Sequence, residues 1–255
     1  MKTFILCGGM GSRLDSEGKV KPKPLINIGN QPILLHIINI YHHYRITEFV
    51  LCMGYRGKMI YKFFIKKFSK KIISIEKKRG LKIINIKYKD SIIKIFFVQG
   101  KNNYGTGGRI KFAYEKLNLD EDILMTYGDG VANINIRKLI KFHYSQKSLA
   151  TLTTVLAPHR FGILNIKNNR LKSFDNKNDK NMINAGFFVL SKNSIKFIKN
   201  LDEYWESKPM QKIIKLNKMT VFHHKGFWKS LDTLKDKKEL NQLWAQKKAI
   251  WKIWK

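Results

Sequence analysis

The sequence predicts an α/β fold, a three-layer sandwich in which helices cover both faces of a mostly parallel sheet, and three observations point to it. Apolar runs of strand length alternate with segments of helical period through the first two thirds of the chain. Several of these runs end on glycine, at Cys7 before Gly8-Gly9, at Met53 before Gly54 and at Tyr127 before Gly128-Asp129-Gly130. Ligands of open α/β sheets bind at such strand ends. Finally, 255 residues with 44% hydrophobic content suffice for one large domain with its own core.

The elements follow in order. Thr3 to Cys7 is an unbroken apolar run and reads as the first strand. Gln31 to Arg45 places Ile33, Leu34, Ile37, Ile38 and Tyr41 at helical spacing, and Glu48 to Met53 is the second strand. Lys58 to Phe68 reads as a helix, Lys82 to Lys87 and Ile92 to Val98 as strands, and Gly107 to Leu117 as a helix that starts at a glycine pair. Ile123 to Tyr127 is a short buried strand. Beyond residue 145 the pattern becomes richer in β-structure, with strands at Ala150 to Leu156, Gly162 to Ile166 and Ala185 to Leu190 and a polar loop from Asp175 to Asn181. Two short helical pieces, a strand at Met219 to His224 and a helix from Thr233 to Ala245 complete the chain. The tail carries Trp244, Trp251 and Trp254, which are expected at an inter-subunit contact because a short terminus has little core to cover them.

Fifty basic residues against 18 acidic ones give a net charge of +32, which suits anionic partners such as nucleic acid, phosphorylated metabolites or a membrane surface. The lysines are spread over nearly every segment and accompany abundant isoleucine and asparagine, a composition expected of an AT-rich genome. The charge therefore does not name a function. No RNP motif, KH loop or zinc finger is present, so a dedicated nucleic-acid partner is not expected. No run approaches the roughly 18 apolar residues of a membrane span, and the run at Phe4 to Cys7 is shorter than the roughly 7–15 residues of a secretory h-region. Two cysteines in separate strands form no disulfide framework. A cytoplasmic protein is expected.

The segment Leu6-Cys7-Gly8-Gly9-Met10-Gly11-Ser12-Arg13-Leu14, with Lys21-Pro22-Lys23-Pro24 after it, reads as a triphosphate site. Glycines lack a Cβ and let backbone N–H groups approach a polyanion, while Arg13 and Lys23 supply cations. It is not a dinucleotide fingerprint, because Leu14 stands where the third glycine would open the helix, nor a P-loop, because Arg13 and Val20 replace the first glycine and the Ser/Thr. Asp129, between two glycines at a strand end, suits a hard cation that takes oxygen ligands; an Asx turn is the alternative use. Asp232 is either a second ligand or the N-cap of the last helix. The pairs His42-His43 and His223-His224 make no shared metal site, since adjacent side chains diverge.

Gly8-Gly9-Met10-Gly11-Ser12-Arg13-Leu14 with Lys21-Pro22-Lys23-Pro24 resembles the signature of the sugar-1-phosphate nucleotidyltransferases. The blocks Thr126 to Val131, Met182 to Leu190, and Gly226 to Asp232 with the closing Trp251 to Trp254 resemble the glucose-1-phosphate cytidylyltransferase branch of that family. The resemblance spans nearly the whole chain. It implies a Rossmann-like three-layer fold with a small β-rich acceptor portion. In the family's terms residues 1–145 form the nucleotide-binding part, 146–232 the acceptor-binding part, and 233–255 a C-terminal helix and oligomerisation tail. It implies Mg²⁺ on Asp129 and Asp232, Arg13 gripping the β- and γ-phosphates, and Lys23 on the transferring phosphate, so that Arg13, Lys23 and Asp129 carry catalysis.

The same resemblance assigns nucleotide binding to Leu6, Cys7, Gly8, Gly9, Met10, Gly11, Ser12 and Arg13, then to Tyr104, Thr106, Gly107, Arg109 and Gly128. Tyr104 departs from the branch, which often has a small hydroxyl residue there. For the acceptor it assigns Lys23, Arg160, Gly162, Asn176, Lys177 and Asn184. Here too the chain departs, since Asn176-Lys177-Asn178 stands where relatives commonly read Glu-Lys-Pro; Asn176 keeps hydrogen bonding without the charge. The implied partners are CTP and a sugar 1-phosphate, the implied product is a CDP-sugar for surface polysaccharide, and a homo-oligomer, trimer or hexamer, is expected. The other readings of the residues are transfer with another nucleotide or phosphorylated acceptor, and a nucleotide-sensing or RNA-binding protein on the same fold.

Overall fold

The computed structural model describes residues 1–9, 21–78, 80–156, 163–167, 170–175 and 182–254. Strands β1 (Thr3–Cys7), β2 (Asn27–Ile28), β3 (Gln31–Pro32), β4 (Glu48–Met53), β5 (Ile72–Lys78), β6 (Leu81–Tyr88), β7 (Ser91–Gln99), β8 (Ile123–Tyr127) and β9 (Gly130–Ala132) belong to the first half. β10 (Ala150–Leu156), β11 (Ile163–Lys167), β12 (Arg170–Asp175), β13 (Met182–Leu190), β14 (Met219–His223) and β15 (Trp228–Ser230) follow. The α-helices are α1 (Ile33–His43), α2 (Gly57–Lys67), α3 (Thr106–Lys116), α4 (Ile136–Ser145), α5 (Lys208–Lys215) and α6 (Leu234–Ala245).

Nine strands form one sheet in the order β14-β10-β13-β8-β1-β4-β7-β6-β5. Its centre is parallel, β8 and β4 flanking β1 and β7 beside β4, while β13 and β6 run in reverse. This is the expected α/β sandwich. Central strands buried on both faces need no polar alternation. Phe4 and Leu6 face one core together with Ile110, Ala113 and Trp205; Ile5 and Cys7 face the other together with Ile37, Phe64 and Leu139. Burying these side chains, with about 1.5–3 kcal/mol from each Leu, Ile and Phe among them, is what holds α1, α2 and α4 on one face and α3 and α5 on the other.

The elements foreseen from periodicity recur with small shifts: the helix at Gln31 begins at Ile33, because Gln31 and Pro32 pair with β2. Several elements were not foreseen. β5 is a lysine-bearing edge strand whose apolar residues are too few to mark it, and α4 lies in a stretch for which the sequence predicts no element. β12 turns the sequence up to Asp175 into a strand, paired with β11, so the expected loop contributes Asp175 to that strand. Residues 176–181 lie outside the described residues.

The expectation for the terminal tryptophans is corrected. Trp251 is fully buried and Trp254 is 8% exposed, and both lie in the core of their own chain. Trp251 stacks on Phe227, and its indole N–H donates to Nδ1 of His36 at 3.2 Å. Trp244 packs against Gly29, whose φ of +63° and missing Cβ make room for the ring. The tail closes over α1 and the β2–β3 turn, so these rings supply no argument for a subunit contact.

Candidate active site

The carboxyl ends of β1, β4, β7 and β8 lie along one edge of the sheet, since all four strands run the same way. Among the described residues, a cavity of about 460 Å³ opens there. Leu6, Cys7, Gly8, Gly9, Lys23, Tyr104, Thr106, Arg109, Gly128, Asp129, Asn184 and Asp232 line it, so twelve of the residues singled out from sequence converge on one site. Met10, Gly11, Ser12, Arg13, Arg160, Gly162, Asn176 and Lys177 lie outside the described residues.

The two aspartates meet through a short ladder. β9 pairs antiparallel with β15, with Gly130 opposite Ser230, and the N–H of Leu231 donates to the carbonyl of Asp129 at 2.8 Å. Asp129 precedes one strand and Asp232 follows the other, so the pairing brings residues 103 positions apart to the same point. Lys23, at the start of a 3-10 turn, places its ammonium between them, 2.6 Å from Asp129 Oδ2 and 2.7 Å from Asp232 Oδ1. Burial pulls the Lys23 pKa down, but the Asp129 charge and the hydrogen bonds to both carboxylates outweigh it, and the net shift is upward. The lysine stays charged at neutral pH.

The N-cap use of Asp232 does not hold, because another residue fills it. Thr233 caps α6, its side chain accepting from the N–H of Asp236 in a capping box, while Asp232 lines the cavity. Ser230 donates to Asp232 Oδ2 at 2.6 Å and orients it. Two carboxylates already converging on one cation fit a divalent ion, which takes oxygen ligands and leaves several positions to phosphate and water. No third His, Cys, Asp or Glu joins them among the described residues.

Arg109 is 6% exposed and packs against Gly8 and Gly54 at the ends of β1 and β4. Its guanidinium donates to the carbonyls of Met53 at 3.0 Å and Asn102 at 3.1 Å, and a Cβ on either Gly8 or Gly54 would overlap it. These glycines therefore make room for the Arg109 side chain. Burial pulls the Arg109 pKa down. Gly107 faces the backbone of Glu203 and Trp205, and a Cβ on Gly108 would overlap the Leu201 carbonyl, so this glycine pair docks α3 against residues 201–205. Gly128 lets β8 approach β1, its N–H donating to Leu6 at 3.1 Å.

Sequence reasoning did not single out Tyr127, Trp228 and Ser230, which also line the cavity. Trp228 donates to the carbonyl of Ala185 at 2.7 Å and ties the β9–β15 ladder to β13. Each lies inside a block quoted for its resemblance, which was the available signal. Cys7 and Cys52 are free and buried, with burial pushing both thiols up, Cys52 to about 12. The histidine pairs are spread between packed and surface positions: His42 is buried and bonded to Ser91, while His43 and His223 are exposed. No helix among the described residues is long and apolar enough to cross a membrane.

Residues 2–244 match the family model described as nucleotidyl transferase. The chain is 39% identical to the glucose-1-phosphate cytidylyltransferases of Salmonella typhimurium and of Salmonella typhi, over 100% of this chain and 100% of each relative. The fold is similar to that of a UDP-glucose pyrophosphorylase complexed with UDP-glucose, with a TM-score of 0.70 at 12% identity over 96% of this chain and 98% of that one. The cavity at the strand ends, with its lysine and paired aspartates, is thus the candidate active site of a chain that belongs to the nucleotidyl transferase family, and it is an enzyme of the glucose-1-phosphate cytidylyltransferase-like kind.

Proposed function

We propose that the protein transfers the cytidylyl group of CTP to a sugar 1-phosphate, α-D-glucose 1-phosphate first among acceptors, in a Mg²⁺-dependent reaction that yields CDP-glucose and pyrophosphate for surface polysaccharide. The observation that carries this reading is the convergence of Lys23, Asp129 and Asp232 at the mouth of parallel strands. The full-length similarity to glucose-1-phosphate cytidylyltransferases supports CTP and glucose 1-phosphate as the first pair to try.

The chemistry requires little of the protein beyond position and charge. A phosphate oxygen of the acceptor attacks the α-phosphorus, the bond to the bridging oxygen of the β-phosphate breaks, and pyrophosphate leaves with that electron pair. The acceptor phosphate is ionised at neutral pH, so no protein base or nucleophile is needed. Asp129 and Asp232 would hold Mg²⁺, which when bound neutralises phosphate charge. Lys23 turns from the carboxylates to the transferring phosphate, and Arg13 adds its charge at the β- and γ-phosphates. Gly8 and Gly9 offer backbone N–H groups to the nucleotide, with Leu6, Cys7, Tyr104, Thr106 and Gly128 around it and Arg109 packed against Gly8. Asn184 serves the acceptor, with Arg160, Gly162, Asn176 and Lys177.

A homo-oligomer, trimer or hexamer, belongs to this reading on the resemblance alone. A cytoplasmic setting suits both the CTP supply and two unpaired thiols. The test is pyrophosphate release across CTP, UTP, dTTP, GTP and ATP, each with a panel of sugar 1-phosphates, with and without Mg²⁺. Release that is greatest with CTP and glucose 1-phosphate is expected. No release from CTP with any acceptor removes the reading, and release with another pair transfers it to that pair.

A further inference from the structure

Glu206 stands behind the cavity wall, in the segment that leads into α5. Each carboxylate oxygen accepts one hydroxyl: Tyr127 donates to Oε1, and Thr106 donates to Oε2 at 2.6 Å. Both donors line the cavity. Each is fixed again from another side. The N–H of Trp205 donates to Thr106 Oγ1 at 2.8 Å, and Nδ2 of Asn184 donates to the Tyr127 hydroxyl at 3.1 Å. Asn184 is itself oriented, because its Oδ1 accepts the N–H of Gly186 at 2.7 Å.

A hydroxyl has a single hydrogen, and an ionised carboxylate has none to give. Glu206 therefore takes the hydrogen of both hydroxyls, and each can meet a substrate only as an acceptor. Burial and the neighbouring Glu206 charge push the Tyr127 pKa up, so the phenol keeps the hydrogen it donates. The Asn184 amide carries two N–H groups, of which Tyr127 receives one. The chain of bonds thus runs from Glu206 through Tyr127 to the residue assigned to the acceptor, and through Thr106 to the first turn of α3.

We propose that Glu206 is a positioning residue for nucleotidyl transfer, setting Thr106 on the nucleotide side and Tyr127 on the acceptor side as obligate hydrogen-bond acceptors and aligning Asn184, so that the site selects sugar phosphates bearing a donating hydroxyl. This rests on the transfer reaction proposed above. The groups meeting these two hydroxyls must be donors, such as a sugar or ribose O–H, rather than phosphate or carbonyl oxygens. A site built to hydrogen-bond a hydroxyl rejects the analogue that lacks it.

The experiment is steady-state kinetics of wild type, Glu206→Gln and Tyr127→Phe with the sugar 1-phosphate that wild type uses best and its singly deoxygenated analogues. Glu206→Gln keeps one acceptor oxygen and sets an N–H₂ against the other hydroxyl, which needs an acceptor. It is expected to raise the acceptor KM about tenfold with a much smaller fall in kcat, and to discriminate less between the parent sugar and the analogue wild type rejects. Tyr127→Phe is expected to give a KM change of the same order, and the double variant to be little worse than the worse single one. A wild-type acceptor KM and undiminished discrimination in either variant overturns the proposal; Tyr127→Phe decides alone if Glu206→Gln does not fold. Inactive wild-type enzyme with every substrate pair is instead a failure of the proposed reaction.

Discussion

The ammonium of Lys23 lies 2.6 Å from Oδ2 of Asp129, on the position where a cation must sit if the Asp129 and Asp232 carboxylates are to remain close together. Removing the acid that anchors this arrangement takes away charge stabilisation where the phosphate reacts. Asp129→Asn is expected to lower kcat by about 10²-fold or more while leaving the fold intact, as loss of comparable electrostatic groups does. Pyrophosphate release and the far-UV spectrum check this together, and near-normal turnover would remove Asp129 from the metal assignment.

Arg109 occupies the space that glycines at the ends of β1 and β4 leave open. Gly8→Ala drives a methyl group into the guanidinium, at a cost of about 1–3 kcal/mol for overpacking, and should raise the CTP KM by moving the loop. Arg109→Lys keeps the charge but has no fork to reach the carbonyls of both Met53 and Asn102. Both variants should therefore weaken CTP binding in titration calorimetry; an unchanged affinity in both would separate Arg109 from the nucleotide site.

His36 is fully buried and meets Trp251 as a neutral ring, with Nε2 on the Ile28 carbonyl and Nδ1 accepting the indole N–H. Burial lowers its pKa to about 4, against about 6.5 for an exposed histidine, so between these values only the unfolded chain takes up the proton. Stability should be full above pH 6.5, fall by at most roughly 1.4 kcal/mol per pH unit below it, and lose this dependence under pH 4. The lowered pKa values of His42, His143 and His224 act in the same direction. Urea unfolding from pH 8 to 5 measures the slope, and it should be shallower in His36→Gln.

Trp251 has no exposed surface, so Trp251→Ala should cost about 3–5 kcal/mol. The loss should be the same at low and high protein concentration, because the ring is covered by its own chain. A melting temperature whose deficit depends on concentration would return the tryptophan to a subunit interface.

Much of the fold is legible in the chain because its central strands are unbroken apolar runs that stop at glycines, as at Cys7 and Tyr127. The edge strand at Ile72–Lys78 is not, since only local residues separate it from a polar loop and its place is set by pairing with β6. The site is legible in part. Asp129 is marked by its glycines, but the partnership with Asp232 depends on the β9–β15 ladder, whose two three-residue strands have no periodicity to detect. Glu206 is invisible for a related reason: its meaning lies in two hydroxyls 79 and 100 positions away. The tryptophans mislead because a terminus with few residues of its own can still be covered by a helix from the other end of the chain.

That contact between Trp251 and His36 spans 215 positions, and it orders events during synthesis. Helix α1 leaves the ribosome early, with its imidazole and the neighbouring apolar face still uncovered. The ring that seals them is translated 215 positions later. That part of the α1 face therefore waits until residue 251 has emerged, and a nascent chain stalled before it should remain open to protease around α1 while the opposite face is already closed.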